Sequence, residues 1–142
     1  MRPRLATGGA RMSGQPSWQM TDDRTSSENS PGENSLVLVH TTCADRDEAE
    51  RLAADLVERR LAACASIGQQ VVSVYPWEGR IERDTETPLT LKTTRAMFAA
   101  LRARLNERHS YDVPELLAVA VVDVNADYIQ WVHDWVGDRQ GA

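Results

Sequence analysis

The order of its apolar segments is the feature that most constrains the fold of this 142-residue chain. The β-branched run Leu36–Val39 predicts a buried strand. Apolar residues then recur at helical spacing over 49–61, after an acidic capping box at 45–48. From Ala63 the pattern becomes that of strands, and the turn signal at 78–79 divides it into two limbs. These segments predict a strand, a helix and a β-hairpin.

The remaining segments predict a second helix, a strand and a last helix. Thr94 is placed to cap the second helix, and the apolar run Leu116–Val122 predicts a buried strand. Asn125 or Asp127 would cap the last helix, which carries an aromatic stripe of Tyr128, Trp131 and Trp135. The order β-α-β-β-α-β with a C-terminal helix is that of the ferredoxin-like split βαβ sandwich, an α+β fold.

The predicted hairpin is longer than its own domain requires. Leu89 and Leu91 alternate with polar residues, as in a half-buried strand. The stretch Arg80–Glu86, in contrast, is polar and charged, so this arm should reach beyond the core. A strand pair that overhangs its own domain needs another surface to pack against.

Composition excludes several classes of protein. The chain has 16 Lys and Arg against 21 Asp and Glu, and all but one of the basic residues are arginines, the exception being Lys92. Net acidity and scattered arginines argue against a nucleic-acid partner, which requires a clustered positive surface. The longest apolar run is Leu116–Val122, too short to span a membrane. Two cysteines and no secretory apolar segment favour a reducing, cytoplasmic location.

Residues 1–34 differ in composition from the rest of the chain. They are rich in polar residues, Gly and Pro, and their charges cancel. Such a segment buries too little apolar surface to offset its ordering entropy, so we expect a disordered tail and one folded domain over 35–142. Arginines without an acid in the first 20 residues also resemble an organellar leader, and Met12 or Met20 are alternative starts.

Cys43 and His109 are the candidate metal ligands. The predicted topology puts both at one edge of the sheet, the thiol after the first strand and the imidazole after the second helix. Because a helix N-terminus lowers the pKa of a nearby thiol, we expect Cys43 to favour the thiolate. With Asp112 or Glu115 as further donors, these groups suit copper or zinc. The alternative is an inert loop thiol beside a solvated or capping histidine.

The other polar residues carry no clear chemistry in the sequence. Cys64 has small apolar neighbours and is expected to be buried, beyond a helix of roughly 16 residues and about 24 Å from Cys43. That distance forbids a disulfide between the two cysteines. His40 can face either side of its strand, and His133 is expected on the surface. No phosphate-binding loop, carboxylate pair or activated nucleophile is recognisable, so the sequence predicts no enzyme.

Six stretches together resemble the CutA family, the divalent-cation tolerance proteins. They cover about 36–136, nearly the whole predicted domain. The matching residues are Thr42-Cys43, Glu58–Cys64, Ser73–Glu82, Leu91–Thr94, His109–Glu115 and Asp127–Val132.

The resemblance implies a ferredoxin-like subunit that assembles into a tight homotrimer, with the long hairpins pairing across subunits. It also implies a link to tolerance of divalent cations, copper especially, with no enzymatic activity firmly attached. The residues that would then lie near the clefts between subunits are Tyr75, Trp77, Glu78, Arg80, Tyr111, Pro114 and Glu115.

Four positions depart from the family pattern: Ser110 and Ala120 stand where prolines are usual, and two more concern the copper-binding relatives. Thr41 stands where a cysteine closes their first strand, and Arg108 stands where some relatives have the first of two histidines. Of the copper ligands proposed for the family, only His109 is carried over residue for residue.

We therefore expect a cytoplasmic, non-enzymatic homotrimer that responds to divalent metal ions and binds Cu(II) or another divalent cation weakly through Cys43 and His109. The alternative is a signalling module resembling the PII proteins, with Arg80, Lys92 or Arg108 binding a small anionic ligand at the inter-subunit cleft. A third possibility is a scaffold whose role is to form a stable trimer. Neither a nucleic acid nor a membrane is expected as a partner.

Overall fold

The computed structural model of this protein describes residues 32–137. Most of the predicted tail, residues 1–31, and the last five residues lie outside this range. The described elements, in chain order, are β1 (Leu36–Cys43), α1 (Arg46–Glu58), β2 (Cys64–Ile67), β3 (Val71–Trp77), β4 (Arg80–Thr94), a short 3-10 turn (Arg95–Met97), α2 (Phe98–Arg108), β5 (Leu117–Ala120) and α3 (Ala126–Trp135).

The strands form an antiparallel sheet in the order β2-β4-β1-β5, with β3 paired to the outer part of β4. Since β1 and β2 both run antiparallel to β4, they are parallel to each other. Two parallel strands joined by a helix and separated by a third strand are the split βαβ arrangement. The predicted α+β class and the order of elements are therefore confirmed.

The predicted second strand is divided into two. β4 pairs with β2 as far as Leu89 and with β3 from Glu86 outward. Between them Pro88 has no N–H to donate, and its carbonyl accepts a hydrogen bond of 2.9 Å from Gly68 N–H. The strand ends at Ile67 and starts again at Val71. The pairing partner of β4 therefore changes from β3 to β2 on either side of this proline.

The main core lies between the sheet and the helix pair α1 and α2. Four leucines of the helices meet alternating residues of β1 and β4, and each such side chain stabilises the fold by about 1.5–3 kcal/mol. An ion pair from Arg104 Nε to Asp55, at 2.8 Å, joins the two helices at the edge of this core. The fully buried members are Val37, Val39, Leu56, Leu89, Leu91, Leu101 and Leu105.

α3 packs at the end of the sheet that is remote from Cys43. Val132 is fully buried in a second apolar cluster with Leu36 and Ala63. Trp135 Nε1 donates to the Val57 carbonyl at 2.9 Å. The Arg60 guanidinium lies 3.9 Å from the Trp135 ring, a cation–π contact. The aromatic stripe packs as expected, except that Trp131 is 50% exposed.

One predicted helix cap, Thr94, is wrong, and Asn125 stands at the predicted N-cap position of α3 without a side-chain capping bond. Asp45 does cap α1, since its carboxylate accepts from Glu48 N–H at 2.8 Å. Thr94, however, makes no capping hydrogen bond, because the chain passes through a 3-10 turn before α2 begins. The side chain of Asn125 makes none either; its carbonyl accepts from the first turn of α3 instead.

The predicted burial of the last strand is wrong for a single subunit. β5 lies at the edge of the sheet, and Leu117 and Val119 are each about half exposed. The hairpin also presents apolar side chains, among them Ile81, which is 71% exposed. As predicted, the hairpin overhangs the domain. Thr87 pairs with Cys43 at the end of β1, and the seven residues of β4 before Thr87 extend beyond that end by about 23 Å. No helix among the described residues is long and apolar enough to cross a membrane.

Candidate metal site

Cys43, Glu48 and His109 meet at one end of the sheet. β1 ends at Cys43, α1 presents Glu48 from its first turn, and His109 follows the last residue of α2. One thiol, carboxylate or imidazole atom from each lies within 4.8 Å of the others. All three side chains are buried. The structure thus brings together the two predicted ligands, Cys43 and His109, and adds a third donor.

Both ring nitrogens of His109 have backbone partners. Nε2 lies 2.8 Å from the Thr42 carbonyl oxygen, which can only accept, so Nε2 carries a proton and donates it. Nδ1 accepts from the Tyr111 N–H at 3.0 Å. The imidazole is therefore a neutral Nε2–H tautomer whose Nδ1 lone pair faces the Tyr111 N–H, and a Glu48 oxygen lies 3.8 Å from Nδ1. Of the alternative interpretations, a solvated histidine is wrong because His109 is buried, whereas a capping histidine is confirmed because His109 is the C-cap residue of α2.

The carboxylate of Glu48 holds two loops together. One oxygen accepts from Ala44 N–H at 3.2 Å and the other from Ser110 N–H at 3.3 Å. The sequence identified Glu48 only as the third helical residue of a capping box. A helix that begins three residues after a strand-terminal cysteine can nevertheless return that carboxylate toward the thiol, and this spacing was the available signal.

The Cys43 thiol is protonated, contrary to the expected thiolate. Burial above all, and then the charges of Glu48, Asp45 and Glu86, raise the pKa of Cys43 from 9.0 to about 12. Desolvation and negative charge disfavour a second anion more strongly than the N-terminus of α1 favours it. The same burial and the charges of Glu86 and Glu48 raise the pKa of Tyr111.

Several buried hydroxyl groups lie at this end of the sheet. Thr87 lies directly across from Cys43 in the sheet, and Thr41 lies two residues before it on the same face. Their side-chain oxygens, with those of Thr42 and Ser110, are buried and have no hydrogen-bond partner within residues 32–137. Such atoms are rare in proteins, so this end of the core is unusually polar.

A groove between α1 and α2 leads to the Glu48 carboxylate. Its volume is about 360 Å³. Acidic and basic side chains from both helices line it. The residues that line it are Glu48, Arg51, Leu52, Asp55, Glu107 and Arg108.

Several other predicted residues lie elsewhere. Neither Asp112 nor Glu115 belongs to the donor cluster, the one group of three such side chains found over 32–137. The three basic residues proposed for an anionic ligand are not brought together within one chain. Arg80 is at the hairpin turn, Lys92 is near the C-terminal end of β4, and Arg108 ends α2.

Cys64 is not fully buried, contrary to expectation. It is partly exposed, and the Lys92 ammonium lies 3.9 Å from its sulfur. Cys43 pairs with Thr87 and Cys64 pairs with Lys92, five residues further along β4. The two cysteines are on strands at either side of β4, so their Cα atoms are roughly 20 Å apart. Both are free thiols, as predicted.

His40, whose orientation the sequence left open, faces Thr90 on the sheet surface opposite α1 and α2, with Nδ1 3.4 Å from the hydroxyl.

The match to known sequences covers the described domain almost completely. Residues 37–135 match the family model of the CutA1 divalent ion tolerance protein. The chain belongs to the CutA family. The family is thus named for divalent-cation tolerance and not for a catalysed reaction.

Individual CutA proteins are similar in sequence and in structure. The divalent-cation tolerance protein CutA of Pyrococcus horikoshii is 39% identical over 97 residues, which are 68% of this chain and 94% of that protein. The crystal structure of CutA1 from Shewanella sp. SIB1 matches with a TM-score of 0.72 and 36% identity, over 77% of this chain and all of that one. A CutA from Archaeoglobus fulgidus, described as periplasmic, matches with a TM-score of 0.70 and 32% identity, over 72% of this chain and 99% of that one.

Proposed function

We propose that this CutA family member acts in divalent-cation tolerance by binding a transition-metal ion at Cys43, Glu48 and His109, without catalysing a reaction. The observation that carries the proposal is the meeting of a thiol, a carboxylate and an imidazole within 4.8 Å in a buried, polar site. Sulfur and nitrogen donors favour copper and zinc over magnesium or calcium.

The spacing of the donors is close to that of a tetrahedral site. Metal–ligand bonds of about 2.0–2.3 Å put tetrahedral ligands about 3.3–3.7 Å apart. His109 Nδ1 and a Glu48 oxygen are 3.8 Å apart, and the widest separation in the cluster is within 4.8 Å. A contraction of about 1 Å, within the reach of side-chain rotation, would therefore close the site.

The orientation of His109 also suits a ligand. A metal-bound histidine usually donates its second N–H to a carbonyl or carboxylate, which fixes the ring. Nε2–H of His109 already donates to the Thr42 carbonyl, so Nδ1 is the nitrogen that would bind the ion. Nδ1 would have to release the Tyr111 N–H, and Cys43 would have to lose its proton. Both costs favour weak binding that depends on pH.

Calorimetric titration with Zn²⁺, Cu²⁺ and Mg²⁺ tests the site. We expect Cys43→Ser, Glu48→Gln and His109→Asn each to weaken Zn²⁺ binding at least about tenfold, as ligand losses do. Cys64→Ser and His133→Asn are the matched controls, since they remove a thiol and an imidazole away from the cluster. Circular dichroism would verify that each variant is folded. Unchanged Zn²⁺ affinity in the folded variants would exclude this site.

We also propose that the protein is a homotrimer. The support is the set of apolar side chains that one subunit leaves exposed on the overhanging hairpin and on β5, among them Ile81, Leu117 and Val119. An edge strand and a projecting hairpin with such residues need to be covered. Light scattering of the purified protein tests this, and a monomer would contradict it.

We propose a cytoplasmic location, which the two free thiols support because a reducing compartment preserves them. Cell fractionation with an antibody to the native protein tests it. Recovery of the protein outside the cytoplasm would contradict the proposal.

A further inference from the structure

Two candidate metal ligands already bind the backbone of the loop 110–116, which lies between His109 and β5. Nδ1 of His109 accepts from the Tyr111 N–H at 3.0 Å, in a buried hydrogen bond. The Tyr111 ring lies beside the imidazole, with 4.8 Å between the ring centroids, and is buried with it. The Ser110 N–H donates to the Glu48 carboxylate at 3.3 Å. The atoms that would bind an ion are therefore the atoms that hold the start of this loop.

We propose that a metal ion and the Tyr111 N–H compete for Nδ1 of His109, so that occupation of the metal site releases the loop 110–116 from the imidazole. This inference rests on the proposed metal site and describes its regulation. Because the coupling is reciprocal, anything that holds Tyr111 on the imidazole weakens metal binding, and the ion weakens the hold on the loop by the same factor.

The competition follows from the valence of the imidazole. A neutral histidine has one ring nitrogen that donates and one that accepts. In His109 both are in use, since Nε2–H donates to the Thr42 carbonyl and Nδ1 accepts from Tyr111. An ion at Nδ1 takes its single lone pair and breaks the bond to Tyr111. An ion at Nε2 would move the proton to Nδ1, where it would oppose the Tyr111 N–H, so both bonds would be lost. Binding through either nitrogen detaches Tyr111.

The Glu48 carboxylate imposes no such choice. Its two oxygens offer about four lone pairs. One oxygen accepts from Ala44 N–H at 3.2 Å and the other from Ser110 N–H at 3.3 Å. Each oxygen can therefore keep its N–H and still bind an ion. The Ala44 amide is thus an internal reference, which should stay bonded when the Tyr111 amide is released.

The competition also selects the class of ion. An ion that displaces a buried N–H from Nδ1 must bind nitrogen strongly, as Zn²⁺ and Cu²⁺ do. Mg²⁺ and Ca²⁺ prefer oxygen ligands, so they can bind the Glu48 carboxylate without taking the lone pair of His109. We therefore expect Zn²⁺ and Cu²⁺ to release the loop and Mg²⁺ to leave it in place.

Amide hydrogen exchange, resolved by residue with NMR on the full-length protein, tests the proposal. At a Zn²⁺ concentration that calorimetry shows to be saturating, the Tyr111 amide should exchange at least about tenfold faster than in the metal-free protein, because it loses a buried acceptor. The Ala44 amide should change by less than about twofold, since its acceptor remains. Mg²⁺ at the same concentration should leave both rates unchanged.

A variant in the loop provides a second readout. Pro114→Gly gives the released loop more backbone freedom without changing a ligand, so release costs less and Zn²⁺ should bind about two- to fivefold more tightly. Ala100→Gly, at an exposed position of α2, is the matched control and should keep the wild-type affinity. A purely structural role of Pro114 would not tighten metal binding.

The outcomes separate this inference from the proposed function. Zn²⁺ binding with an unchanged or slower Tyr111 exchange rate would overturn the inference and leave the metal site standing. Absence of Zn²⁺ binding in calorimetry would overturn both. The amide exchange is measured in the wild-type protein, so the inference stays testable even if Pro114→Gly fails to fold.

Discussion

The Nε2–H of His109 donates to the carbonyl oxygen of Thr42 at 2.8 Å and so joins the end of α2 to the end of β1. These residues are 67 positions apart in the chain, and the bond is buried. The same ring accepts from the Tyr111 N–H, which fixes the loop after α2. One imidazole thus connects the end of β1, the end of α2 and the loop after α2, where the candidate ligands lie.

Replacement of His109 should destabilise the protein strongly. In His109→Ala, a buried carbonyl and a buried N–H lose their partners and a cavity forms, which together cost about 2–4 kcal/mol. Urea denaturation measures the free energy of unfolding. His133→Ala is the matched control: it removes a less buried ring whose Nε2 bonds to the Asn34 carbonyl, and should cost less than about 1 kcal/mol. Equal losses in the two variants would contradict the structural role of His109.

Metal binding should release one proton from Cys43. Because the pKa of the buried thiol is raised to about 12, the free protein holds this proton throughout the neutral range. The apparent Zn²⁺ affinity should therefore increase about tenfold for each pH unit, here between pH 7 and 8. Calorimetry in two buffers of different ionisation enthalpy counts the proton. Binding without proton release would show that the Cys43 thiolate is not a ligand.

Asp55 should give a distinct acid dependence of stability. Hydrogen bonds from Arg104 and then Arg59 lower the pKa of Asp55 from 3.8 to about 2. A carboxyl whose pKa is depressed in the folded state stabilises the protein above its unfolded pKa, and this contribution is lost as the pH falls through the folded pKa. We expect the wild-type melting temperature to fall more steeply between pH 4 and pH 2 than that of Asp55→Asn. Parallel curves would contradict the assignment.

A charge on the exposed apolar hairpin should dissociate the proposed trimer. Ile81→Asp places a carboxylate on a side chain that is 71% exposed in one subunit and that the trimer would cover. Light scattering coupled to size exclusion should then show monomers. Ala100→Asp, which adds the same charge on an exposed position of α2, is the control and should remain trimeric. A trimer that persists in Ile81→Asp would exclude the hairpin from the interface.

The sequence predicted the parts of this fold that depend on local periodicity. The apolar spacing of α1 and the alternation around Leu89 and Leu91 each reflect which side of one element is buried. The structure confirms both predictions. The polarity of Arg80–Glu86 likewise identified the overhang. The burial of β5 within one chain was predicted incorrectly. An apolar run predicts that other residues pack against a strand, but it does not show whether they belong to the same chain.

The candidate site was only half predictable for a different reason. Cys43 and His109 stood out as chemically reactive residue types, and topology placed them at the same edge. Glu48 already had a local explanation as a capping residue, so its second contact, across 62 positions to Ser110, was invisible. The pKa of Cys43 was misjudged because burial, the largest cause of its rise, comes from distant segments, and because the nearby carboxylates of Glu48 and Asp45 outweigh the helix N-terminus.

The continuity of β4 has a mechanical consequence. A single strand of 15 residues forms both the projecting arm and the centre of the sheet, with Thr87 between the two parts and opposite Cys43. Seven consecutive residues connect the far end of the arm to Thr87, so a neighbouring molecule bound to the arm would be linked through one unbroken strand to the backbone opposite Cys43.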